Sequence, residues 1–112
     1  MSELSLRLEG ALEWLELAAE DLRAARHSSA GEFHRNALFL CQQCTEKAIK
    51  GFLTFNNTAF PKSHSISALA DLVEPLDPDL CLILQAAQVI QEPLTNPTQK
   101  RQTRRSGLPI LC

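Results

Sequence analysis

The chain has 112 residues, a formal net charge of −2, and 45% hydrophobic against 21% charged residues. That length fits one domain, and the composition is globular rather than disordered. No apolar run approaches the ~20 residues of a membrane-spanning helix. The opening stretch MSELSLRLEG lacks the basic-then-apolar order of a signal peptide, so a cytoplasmic location is expected.

Charge is unevenly shared. Residues 1–92 carry a net −6, and the segment from Pro93 onward carries +4 through Lys100, Arg101, Arg104 and Arg105. A basic end on an acidic body either grips nucleic-acid phosphates or an acidic partner, or stays solvated. Four cysteines without an export signal do not suggest a disulfide framework. Cys41 and Cys44 form a C-x-x-C inside a helical pattern, away from the helix N-terminus where the dipole activates a thiol. Zinc there would also require Cys81 and His64. The expected role is that of small core residues, with no metal and no cofactor.

Leu4 to Arg26 predicts a first helix. Leu4, Leu8, Ala11, Leu12, Leu15, Ala18, Ala19, Leu22 and Ala25 form one inward stripe, with Glu9, Glu13, Glu16 and Glu20 opposite. Trp14 and Leu17 lie to one side, at a core edge or a second contact surface. The segment HSSAG breaks the pattern, and Ser29 with Glu32 resembles a capping box opening a second helix. That helix runs to about Phe55, with His34, Ala37, Leu38, Cys41, Cys44, Ala48, Phe52 and Phe55 on its core face. Phe39 and Leu53 point elsewhere, so the helix is central or lies at an interface. Glu46 and Lys50, spaced i,i+4, are expected to pair on the surface.

Residues 56–62 read as a loop. A short third helix spans about Ser65 to Glu74. Asp77 as cap and Pro78 at the first helical position open a fourth, reaching about Gln91. The fold class is all-α: an up-and-down bundle of about four helices over residues 4–92, followed by an irregular basic tail over 93–112.

No glycine-rich phosphate loop or nucleophile elbow is present. His27 reads as a helix-end residue, His34 as a core-side structural one, and His64 as a brace before helix three. Helix two, however, reads CQQCTEKAIKGFL, with Trp14 upstream in EWLELAAEDLRAA and SHSISAL downstream. This order resembles the HEPN (higher eukaryotes and prokaryotes nucleotide-binding) domain family from about Leu8 to Gln91. Gln42, Gln43, Glu46, Lys47 and Lys50 fall on the family's most recognisable run, Trp14 on its tryptophan and His64 on its histidine.

The resemblance implies a four- to five-helix bundle that dimerises. It also implies a role beside a minimal nucleotidyltransferase, in toxin–antitoxin or nucleotide-handling pairs. Many members are metal-independent ribonucleases, with Arg followed four to six residues later by His. Here only Arg23 and His27 come near that spacing, in the wrong helix, and no catalytic residue is assigned. Close relatives continue with a Tyr-rich segment and a last long helix. This chain has no tyrosine, so it resembles a member truncated or divergent after helix four, with a helix stripe left partly uncovered.

Three readings follow. The first is a non-catalytic protein that dimerises through Trp14, Leu17, Phe39 or Leu53 and binds a nucleotidyltransferase partner or a nucleotide. The second is a ribonuclease acting through an unrecognised site, and the third a vestigial family member. RNA contact, if made, falls to Lys100, Arg101, Arg104 and Arg105. The sequence names neither the nucleotide, nor the RNA, nor the partner.

Overall fold

The computed structural model describes residues 2–62 and 65–95, the last nine as helical backbone. Four helices and no strand occur among the described residues: α1 (Glu3–Ala30), α2 (His34–Phe55), α3 (Ile66–Val73) and α4 (Pro78–Thr95). The expected all-α architecture is therefore observed. No helix of the described residues is long and apolar enough to cross a membrane.

Helices α1 and α2 form an antiparallel hairpin whose seam is built from small residues. Ala11, Ala18 and Ala25, seven residues apart, are buried, as are Ala37 and Gly51 of α2. A Cβ on Gly51 would lie 3.2 Å from both Ala11 O and Trp14 Cβ. The two backbones approach closely because nothing larger stands between them.

The hairpin turn differs from expectation. Ser29 sits inside α1, which runs on to Ala30, and Glu32 takes a left-handed φ of 66°. Phe33 N–H donates to Ser28 O at 2.8 Å and Glu32 N–H to Ser29 O at 3.0 Å. These are the paired bonds of a helix C-terminal stop, so the Ser29/Glu32 signal marks an end rather than a capping box. Helix α2 starts without a side-chain cap, and Asn36 Nδ2 donates to Ser28 Oγ at 2.8 Å across the turn. The same stop closes α2, where Asn57 has φ 54° and Thr58 N–H reaches Leu53 O at 2.9 Å.

Two caps set the shorter helices, Asp77 as expected and Ser65 in addition. Ser65 Oγ accepts from Ala68 N–H at 3.2 Å, and Asp77 Oδ1 accepts from Leu80 N–H at 3.1 Å ahead of Pro78. Helix α2 touches all three other helices, whereas among the helices of the described residues α1 packs against α2 alone. The larger core therefore lies between the C-terminal half of α2 and α3–α4, where Ile49, Leu53, Leu69, Ala70, Val73 and Cys81 are buried.

Several expectations are corrected by this arrangement. Leu53 is fully buried, so it belongs to the core and makes no dimer contact. The α1 leucines do not face inward as a set: Leu8, Leu12 and Leu15 remain 48, 48 and 46% exposed. With α2 as the neighbouring helix, only Ala11, Ala18 and Ala25 of that stripe are buried. His34 is exposed rather than core-side. Cys41 and Cys44 are free and half-buried rather than core residues, while Cys81 is fully buried in the core.

Candidate functional site

The positions that single out helix two converge on the α1–α2 seam. Trp14 and Asp21, one heptad apart on α1, face Glu46, Lys47 and Lys50 of α2. Lys47 Nζ contacts Asp21 Oδ2 at 2.6 Å, with both side chains half-buried. Lys50 Nζ contacts Glu46 Oε1 at 2.9 Å with side-chain exposures of only 8% and 3%. The expected surface pair is thus an internal one.

An ammonium group this deep needs more than one carboxylate to offset its desolvation. It has two aromatic faces: the Trp14 ring at 5.3 Å and the Phe60 ring at 6.0 Å. The rings meet edge to face with centroids 6.1 Å apart. Ring quadrupoles attract a cation, and more strongly where water is excluded. The loop after α2 delivers Phe60, a partner that the sequence reading left inside a plain loop. Its only signal there was an aromatic residue immediately before Pro61.

The electrostatics reach Cys44. Burial raises its thiol pKa, and Asp21 and then Cys41 push in the same direction, while Lys47 pulls partly back. The thiol is held protonated at neutral pH, the opposite of an activated redox cysteine. Among the described residues no group of three or more His, Cys, Asp or Glu side chains is placed to hold a metal ion.

Other sequence-predicted residues scatter. Gln42 and Gln43 are half-buried on α2, beside the ion pairs in sequence. Trp14 is half-buried against its own chain, whereas Leu17 and Phe39 are exposed. His64, Lys100, Arg101, Arg104 and Arg105 lie outside the described residues. His27 is exposed in the last turn of α1, where the helix dipole favours a cation. At the hairpin turn, Phe33, His34, Arg35, Asn36, Phe39 and Glu32 line an open groove of about 610 Å³.

A helical hairpin locked by internal lysine–carboxylate pairs and completed by two shorter helices defines a small all-α domain with its distinctive polar residues turned inward. The chain belongs to the HEPN domain family, whose model it matches over residues 11–97. No curated protein and no solved structure gives a significant match.

Proposed function

We propose that this HEPN domain protein is non-catalytic and acts by binding, as the partner of a minimal nucleotidyltransferase in a toxin–antitoxin or nucleotide-handling pair. One observation carries the reading. Lys47 and Lys50, the cations of the family motif, are both committed to carboxylates of the same chain. Engaged in these pairs, with Lys47 joining α2 to α1 and Lys50 paired within α2, they are held by carboxylates rather than by a substrate phosphate. Arg23 and His27 are exposed on α1, and nothing in the described geometry gives them a pocket in which to share a reacting group.

Self-association belongs to the same reading. Phe39 and Phe33 are 54% and 68% exposed near the hairpin turn, and exposed aromatics on one groove favour a protein contact. The deciding experiment is co-expression with a minimal nucleotidyltransferase, followed by size-exclusion chromatography. A co-eluting complex supports the proposal, and two separate peaks at micromolar concentration count against it.

A second reading has one specific observation in its favour. The hairpin-turn groove places His34 and Arg35 beside two exposed phenylalanines, a set that could stack a base and hold a phosphate. A ribonuclease would have to use such a constellation, because Arg23 and His27, the Arg and His that come near the family's spacing, are both exposed on α1.

A further inference from the structure

Helix α1 carries two seams. One is the buried alanine seam against α2. The other is Leu8, Leu12, Leu15, Ala19 and Leu22, spaced alternately four and three residues apart, which is the a/d spacing of a coiled-coil face. Its four leucines are 37 to 48% exposed. No other helix of the described residues touches α1 besides α2.

What covers this face is indicated by its charge. Glu9, Glu13, Glu16 and Glu20 run along its outer edge, all exposed. Among the described residues none of the four enters an ion pair, since the pairs of this chain join Glu3 to Arg7, Asp21 to Lys47 and Glu46 to Lys50. Glu13, Glu16 and Glu20 also line a shallow groove of about 310 Å³ with Leu17. A second copy laid on the same face would bring two rows of unpaired carboxylates together, and like charges across an interface suppress that pairing. A helix bearing lysine or arginine beside its own leucines would neutralise the row while burying the seam.

We infer that the leucine face of α1 is the docking surface for a basic amphipathic helix of another protein. This deepens the binding role proposed above by giving the partner's chemistry. It fails separately from that role, because a complex with the nucleotidyltransferase could form through a different face.

The test uses the full chain and a synthetic helical peptide of about three heptads, with leucine at a and d and lysine or arginine at e and g. Fluorescence anisotropy of the labelled peptide should show saturable binding that weakens with added salt. A scrambled peptide of equal charge should not bind. Reversing Glu13, Glu16 and Glu20 to Lys together should weaken binding about tenfold or more. Leu12→Asp should abolish it, with the helical circular dichroism and melting curve of both variants unchanged.

No binding of the designed peptide overturns the inference, and so does equal binding of the scrambled one, which would mean charge attraction alone. Two other occupants would also overturn it. A dimer dissociated by Leu12→Asp would identify a second copy. Peptide binding seen only after removal of residues 96–112 would identify the chain's own basic end.

Discussion

Lys50 reaches Glu46 one turn away on the same helix, yet both side chains are almost wholly buried. At that depth the pair contributes more than the few tenths of a kcal/mol of a surface pair, and Lys50 also meets α1 through the Trp14 ring. Glu46→Gln leaves an ammonium without its countercharge and should destabilise the protein by about 3 kcal/mol. Adding Lys50→Met to Glu46→Gln should recover most of that loss. Urea denaturation monitored by circular dichroism gives both values, and a negligible effect of the single variant would show that the pair is hydrated.

Gly51 and Gly10 should respond oppositely to alanine. At Gly51 the new methyl meets Ala11 O and Trp14 Cβ at 3.2 Å, atoms fixed by the backbone of α1. Overpacking of about 1–3 kcal/mol should exceed the ~1 kcal/mol gained in helix propensity, so Gly51→Ala lowers the melting temperature. At Gly10 the nearest atom is Thr54 Cγ2 at 3.1 Å, part of a side chain that can shift. Gly10→Ala should therefore be neutral or stabilising.

Glu32 occupies a left-handed conformation that favours glycine. Glu32→Gly should stabilise the protein by about 1 kcal/mol, since an L side chain in that region costs that order of energy. Asn57→Gly should gain less, because asparagine tolerates the same conformation. Thermal melts of the two variants compare the positions directly.

Self-association through the hairpin turn predicts a dimer at micromolar concentration in sedimentation velocity. Phe39→Glu should convert it to a monomer without loss of helical signal. A wild-type monomer, or a dimer indifferent to this change, removes Phe39 from the interface.

Incubation with total RNA in the absence of metal should show no cleavage by the purified protein. Cleavage lost on His34→Ala would instead establish the hairpin-turn groove as a ribonuclease site. Any RNA affinity should be indifferent to sequence, fall steeply with salt, and disappear when residues 96–112, with Lys100, Arg101, Arg104 and Arg105, are removed. Undiminished affinity in that shortened chain would place the contact on the helices.

The sequence by itself determined the helices, their order and the family. Apolar spacing near 3.6 residues, Asp77–Pro78 as a start signal and the QQ…EK…K run are local or linear features, read without knowing what packs on what. It placed α1 and α2 within a few residues but mistook a helix stop for a start at Ser29 and Glu32, since the same polar residues serve both ends and the left-handed turn leaves no sequence mark beside Gly31. Only the tertiary structure decided which face of each helix is covered. Periodicity gives an apolar arc but not the number of neighbours: α1 has one and buries alanines, while α2 has several and buries Leu53, Glu46 and Lys50. Trp14, Phe60 and Asp21 lie far from Lys47 and Lys50 in the chain, so the network joining them forms only when the hairpin closes and the loop folds back over it.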